Sequence, residues 1–363
     1  MRYAEITGWG KCLPPVVLTN SDLEKIVDTS DDWITTRSGI KERRISHVET
    51  SDLAMVAGHR ALAAAGRRPE DVDLIILATC SADTVIPSGA SFVQRKLGAA
   101  GAGAFDLNAA CSGWLYGLVV GSDMVKGGVH DRVLVIGAEK LSFFMNFSDR
   151  STAVLFGDGA GAALIEPSEE RVGVMASELG SDGEAAEYLW IEGRGTTGSV
   201  RHEDPSKQGI TMDGREVFRR AVATMGDASV RVVTEAGWSL EDVDMLIPHQ
   251  ANVRIIDATT RRLKLDPAKA FVNIGSYGNT SAATIPIALT EALEQGQISP
   301  GSNLVFAAFG AGLSWAAVAY RWGRRTEPIE ESDTELPSTS RDAWDLLQPN
   351  FDFYGRRRAG EEE

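Results

Sequence analysis

AAGRRPEDVDLIIL, residues Ala64 to Leu77, returns as EAGWSLEDVDMLIP, residues Glu235 to Pro248. Ala-Gly and Glu-Asp-Val-Asp keep the same internal spacing, displaced by 171 residues from Glu70 to Glu241. The first copy reads as a helix ending at a glycine C-cap, a polar turn, then a β-type run buried on both faces. The order around the copies repeats as well. RKLG at Arg95 precedes the strand through Phe105 as RRLK at Arg261 precedes the strand through Phe271, and DRVLVIGAE at Asp131 pairs with SNLVFAAFG at Ser302. One such match arises by chance, whereas three in order indicate an internal duplication. Helices alternating with buried strands predict, in each half, mixed and largely parallel sheets covered by helices. Two packed halves predict a layered α/β body with ligand sites where loops leave the strand ends between them.

Outward from these copies, the spacing predicts a strand at Tyr3–Thr7, a capped helix start in TNSDLEKIV and a second in DTSDDWITTRSGI. It further predicts helices over Ser51–Gly66 and Ser91–Leu97 and buried strands over Leu74–Thr79 and Val133–Ala138. The halves divide at 1–170 and 171–323. Residues 324–363, rich in charge, Pro, Ser and Thr, read as a linker or disordered tail. Within it, WDLLQPNFDFYG (Trp344 to Gly355) is either a remnant or a segment that docks on a neighbouring surface.

The chain has 363 residues, 43% of them hydrophobic, which suffices for a substantial core. No apolar run reaches the roughly 18 residues of a membrane span, and MRYAEITGWG lacks the features of a signal peptide. Cys12, Cys80 and Cys111 are too few for a disulfide framework, so free thiols in a reducing cytoplasm are expected. A net charge of -15 argues against nucleic-acid binding. Five scattered histidines, without metal-ligand spacing, give no expectation of a metal.

Three residues stand at strand-to-helix junctions. In AFDLNAACSGWLYGL, Ala104 to Leu118, a short strand runs into a helix and Cys111 lies between them, where unpaired amides and the macrodipole favour thiolate. Taken alone, a cysteine is more often a small core residue. His249 follows the strand in MLIPHQANVRII, where a histidine is more often structural. Asn279 lies in a Gly-Asn-Thr-Ser turn before an Ala-rich helix, ordinarily the place of a helix cap. Trp33 and Arg37, four residues apart, share a helix face; that is ordinary packing or a platform for an adenine and its phosphates.

NAACSGWLYGL, IPHQAN, YGNTSAA, FGDGAGAALI (Phe156 to Ile165) and DTSDDWITTRSGI together resemble the signatures of β-ketoacyl-acyl carrier protein synthase III. This is the initiating condensing enzyme of type II fatty acid synthesis, in the thiolase-like superfamily. The resemblance runs from the N-terminus to about Trp322 and implies a layered αβαβα fold and a homodimer. It also implies a two-step exchange: Cys111 takes an acyl group from an acyl-CoA, then malonyl-acyl carrier protein loses CO2 and its carbanion attacks that group. Coenzyme A thioester is thus a substrate, and no permanently bound cofactor is implied. His249 and Asn279 would donate to the thioester oxygen as the enolate forms. A second oxyanion hole would use the Cys111 amide and the loop of Gly310, Ala311 and Gly312.

By the same resemblance the CoA adenine lies between Trp33 and Arg150, with Arg37, Asn252 and Arg254 along the cofactor's path. An acidic carrier protein needs a local cationic face, for which Arg219, Arg220, Arg254, Arg261 and Arg262 are candidates; their plain reading is solvated helix charge. The sequence departs from the pattern at Ala311, where the loop usually carries a middle glycine, and Ile86 stands at a position that shapes the end of the acyl tunnel. Leu189–Pro205 matches poorly, and the tail after Arg324 has no counterpart in the typical enzyme. Two other functions share these features. One is a specialised condensing enzyme or acyltransferase of secondary metabolism, which failure to use malonyl-acyl carrier protein would mark. The other is a non-catalytic acyl- or carrier-protein-binding module, against which the intact Cys111, His249 and Asn279 set speaks.

Overall fold

The computed structural model describes residues 2–196 and 209–358, so part of the poorly matching Leu189–Pro205 stretch and all of His202 lie outside the described residues. The first half carries β1 (Tyr3–Cys12), β2 (Val16–Thr19), β3 (Glu42–Ile45), β4 (Leu74–Ala78), β5 (Gly103–Leu107), β6 (Val133–Lys140) and β7 (Asp158–Ser168). Then come β8 (Gly173–Ser181), β9 (Leu189–Ile191), β10 (Ile210–Met212), β11 (Met245–Pro248), β12 (Asn303–Gly310) and β13 (Ser314–Arg321). Nine of these form one sheet in the order β11-β12-β13-β8-β1-β7-β6-β4-β5.

The pairing pattern itself is duplicated. From β1 outward the neighbours β7 and β6 pair antiparallel and then β4 and β5 parallel. From β8 outward, β13 and β12 pair antiparallel and β11 parallel, with a parallel bridge from Leu246 to Ala270 at the place of β5. The halves meet where Ala4 faces Gly173 across a parallel β1–β8 contact. The sheet is mixed as expected but not largely parallel. Tight connections, such as Ala311–Leu313 between β12 and β13, can join only antiparallel neighbours.

Helices repeat in the same order. Thr50–Ala64 covers β1 and β7 on one outer side, and Gly214–Glu235 covers β12 and β13 on the other. Between the halves lie Gly113–Lys126 and Thr284–Glu294, each touching strands of both. All of Thr284–Glu294 except its last residue is buried, as the Ala- and Ile-rich sequence requires of a helix covered all round. The central core joins Trp9, Trp114, Phe306, Tyr320 and Trp322 through edge-on ring contacts and one tilted contact, Tyr320 with Trp322. The five residues of β4, LIILA, are all buried.

Residues 324–358 depart from the expected linker or disordered tail. The segment after β13 has no regular structure up to 342, yet it lies on the body because it satisfies groups the body leaves open. The amides of Ile329 and Glu330 donate to the carbonyls of Ala64 and Ala63 at the end of helix Thr50–Ala64, the Ala63 oxygen being shared with the Gly66 amide of the helix's own terminal turn. Arg325 donates to Thr7 O, and Arg60 to Thr334 O and Glu335. The aromatic stretch then forms a helix, Ala343–Arg358, with Ala343, Leu347 and Tyr354 buried. Among the described residues no helix is long and apolar enough to cross a membrane.

Candidate active site

After β5 the chain passes through Ala110, in the left-handed region at φ 46°, and Cys111 sits in the short turn Ala110–Ser112 that opens helix Gly113–Lys126. A non-glycine residue there costs roughly 1–2 kcal/mol. Neighbouring contacts hold the turn: Ser314 Oγ lies 2.9 Å from the carbonyls of Ala109 and Ala311, and Ser112 Oγ donates to Ser314 O. Gly310, closing β12, presses on the cysteine, since a Cβ there would fall 2.7 Å from the Cys111 amide nitrogen.

His249 extends β11, its amide donating to Ala307 O at 2.7 Å. Its Nδ1 lies 2.6 Å from Thr284 Oγ1 on the central helix. Asn279 is bound to the strand leading into β7: its amide donates to Leu155 O, and Gly157 donates to Asn279 O. The Asn279 side-chain oxygen accepts from the Ser281 amide at 2.8 Å, which turns the carboxamide NH2 to donor duty. Cys111, His249 and Asn279 thus come from three segments remote in sequence and line one small cavity of about 90 Å³, together with Asn252 and Phe218. On its other side Cys111 borders a cavity of about 630 Å³ with apolar walls from Leu141, Phe144, Leu189, Ile191 and Ile210.

Burial dominates the electrostatics. It pushes the Cys111 thiol up to about 12, outweighing the Ser281 hydroxyl, which favours thiolate. The helix terminus, expected to favour thiolate, is thus opposed by the desolvation of a largely buried sulfur. Burial holds His249 neutral, down to about 3. Behind the sulfur lies a group that sequence reasoning missed. Glu139 on β6 is fully buried, its carboxyl raised by desolvation, and it accepts from Ser81 Oγ, Ser281 Oγ and the Cys80 amide at 2.5, 3.0 and 3.2 Å. Thr284 was missed too; in sequence both are absorbed into ordinary strand and helix patterns.

The residues expected along the cofactor's path gather on one side. Helix Asp31–Ser38, which carries Trp33 and Arg37, packs on helix Val253–Arg262, which Asn252 caps. The guanidinium carbons of Arg37 and Arg150 lie 4.7 and 5.0 Å from the Trp33 ring centroid. Trp33 and Arg150 thus touch, and a base placed between them must displace the guanidinium. Arg254 lies over Phe218. Of the cationic candidates, Arg219, Arg220 and Arg262 are ion-paired to Glu216, Asp182 and Asp227, while Arg261 is exposed. Ile86 does not reach the acyl cavity of its own chain: it is 87% exposed at a loop tip beside Val85. Ala311 and Gly312 do border the larger cavity.

Family models described as 3-oxoacyl-[acyl-carrier-protein (ACP)] synthase III and its C-terminal part match residues 105–183 and 233–322. The chain is 51% identical over 356 residues to beta-ketoacyl-[acyl-carrier-protein] synthase III 2 of Vibrio vulnificus strain YJ016, covering 98% of each. It is 50% identical to beta-ketoacyl-[acyl-carrier-protein] synthase III of Symbiobacterium thermophilum over 89% of this chain and 99% of that one. The crystal structure of 3-oxoacyl-[acyl-carrier-protein] synthase III from Aquifex aeolicus VF5 superposes with a TM-score of 0.83 at 46% identity, over 88% of this chain and 100% of that one. The chain belongs to the 3-oxoacyl-[acyl-carrier-protein] synthase III family of condensing enzymes.

Proposed function

We propose that this protein condenses an acyl-CoA starter with malonyl-acyl carrier protein, releasing CO2 and CoA and giving a 3-oxoacyl-acyl carrier protein, and so initiates fatty acid synthesis. The observation that carries this reading is the meeting of Cys111, His249 and Asn279 at one cavity while an apolar chamber opens on the other side of the sulfur. In the first step the Cys111 sulfur attacks the thioester carbonyl, the bond to CoA breaks, and CoA leaves as the thiol with the proton Cys111 gives up. The acyl group then occupies the larger chamber. In the second step the malonyl carboxylate leaves as CO2, and its electron pair forms an enolate whose oxygen takes donors from Asn279 and His249. The enolate carbon attacks the acyl carbonyl, and the Cys111–acyl bond breaks to release thiolate.

For His249 to donate from Nε2, its Nδ1 must accept the Thr284 proton, because a neutral imidazole has one N–H. Trp33, Arg37, Arg150, Asn252 and Arg254 would take the CoA nucleotide, and Arg254 with Arg261 the carrier protein, since both are long cations beside that entry. We read residues 1–170 and 171–323 as the two copies, and the working unit as a homodimer that brings Ile86 to a partner's chamber.

Radiolabelled acyl-CoA tests the first step. Cys111→Ala should take up no covalent acyl group, and labelled variant protein would overturn the assignment. Cys111→Gln should still release CO2 from malonyl-acyl carrier protein without condensing it, and that release should fall on the order of 100- to 1000-fold when Asn279 loses its donor.

A further inference from the structure

The larger cavity has an outer wall that the duplicated body does not brace alone. Two of its lining residues, Leu141 and Phe144, lie on the short turn Leu141–Phe144, which has no side-chain cap of its own. A third, Ile210, follows Gly209 at the start of β10. Both pieces rest on the C-terminal helix Ala343–Arg358, beyond the end of the matched family model at 322. The Asn350 carboxamide is buried against the turn, with Nδ2 at 2.9 Å from Ser142 O, 3.0 Å from Met145 O and 3.3 Å from Phe143 O. Two N–H donors thereby answer three carbonyls of one turn, so the turn's backbone groups are satisfied from the tail. Phe351 meets Phe147 edge-on at 5.5 Å, and Ala343 and Leu347 share one apolar cluster with Leu141, Met145, Leu189 and Ile210. Tyr354 abuts the backbone at Gly209, where an added Cβ would fall 2.8 Å from its hydroxyl.

We propose that the C-terminal helix sets the acyl-chain preference, with Asn350 as the positioning residue that holds the Leu141–Phe144 wall against the chamber. This rests on the acyl-transfer reading of Cys111. A chamber of about 630 Å³ is far larger than a two-carbon group needs, so acetyl occupies only the space beside the sulfur and longer chains must lean on the wall. Each methylene seated on a formed apolar wall changes affinity about fourfold. Loosening the wall should therefore penalise long chains and leave acetyl nearly untouched, a pattern that general destabilisation does not produce.

The test uses the full-length protein with acetyl-, butyryl-, hexanoyl- and octanoyl-CoA, measuring kcat/KM for acylation of Cys111 and for the complete reaction. In Asn350→Ala the octanoyl-to-acetyl ratio should fall about tenfold, two to three methylene increments being partly lost, while acetyl transfer stays within about threefold. Phe351→Leu, which loosens the Phe147 contact but keeps the carboxamide, should shift the ratio in the same direction, and it decides the matter should Asn350→Ala not fold. An unchanged or raised ratio, a uniform loss for all four thioesters, or a wild-type protein that takes nothing longer than butyryl overturns the proposal. Wild-type protein acylated by none of the four overturns the acyl-transfer reading as well. Labelled wild-type protein with an unmoved ratio overturns the role of the tail alone.

Discussion

The Thr284 hydroxyl has one proton and two acceptors in reach, His249 Nδ1 at 2.6 Å and Ser281 O at 3.0 Å. Given to Nδ1, that proton leaves the imidazole protonated at Nε2, on the cavity side; given to Ser281, it leaves Nε2 a bare lone pair. Thr284→Val keeps the buried shape and removes the choice. It should slow malonyl decarboxylation by roughly 10- to 100-fold, the scale at which a partner that orients an imidazole acts, with Thr284→Ser close to wild type. Equal decarboxylation rates in the valine variant and the wild type would deny Thr284 this part. The same imidazole couples the site to acid stability. His249 is held near 3 by burial against 6.5 for the free side chain. Between those values the unfolded chain binds a proton that the folded site refuses, so the stability is fully present above about pH 6.5 and is lost as pH falls toward 3. Denaturation midpoints should drop less from pH 7.5 to pH 5 in His249→Gln than in wild type. Parallel curves would show that the histidine is not the group being charged.

Among the described elements, β5 has incomplete surroundings. It forms one edge of the nine-stranded sheet, its residues are only partly covered, and Val85 and Ile86 stand exposed at 92% and 87% on the loop after β4. An open edge beside an apolar tip invites pairing with a second copy. Light scattering should give a dimer, and Ile86→Lys should weaken it and alter acyl-CoA use together; a monomeric wild type would remove both expectations. Ile86 also shows where sequence reading stops, because the fold leaves it exposed and outside the cavity that its position in the motif pattern implied. Elements with strong periodicity were legible, among them helix Thr50–Ala64 and the apolar β4. The C-terminal helix was not, because Pro349 lies inside it and contacts to Met145 and Phe147 stabilise it rather than local propensity. At the site, Cys111, His249 and Asn279 were readable from their motifs. Glu139 was hidden because only the fold brings β6 behind the sulfur.

At the scale of the whole molecule, the duplication explains why the site lies where it does. Each half contributes a central helix whose N-terminal turn faces the joint, Ala110–Ser112 in one and Ser281–Ala283 in the other. The cysteine and the Thr284–His249 pair are therefore brought together by equivalent elements of two copies. The geometry of the site should depend on how the halves are joined, and along the sheet the join is narrow, a parallel contact of Ala4 with Gly173. Gly173 has φ 86°, and a Cβ there would fall 1.7 Å from Ala4 O, so any other residue must both strain its backbone and push β1 from β8. Gly173→Ala should cost about 2–5 kcal/mol, the sum of left-handed strain and overpacking. Because the halves share their central helices, that loss should appear as one cooperative unfolding transition at lower denaturant. The folded variant should also lose both acylation of Cys111 and condensation, because each draws on groups from both halves in register: Gly310 packs on Cys111 for the first, and His249 and Asn279 meet Cys111 for the second. A variant with wild-type stability, or one in which neither acylation nor condensation falls, would show that the Ala4–Gly173 contact does not hold the two copies in register.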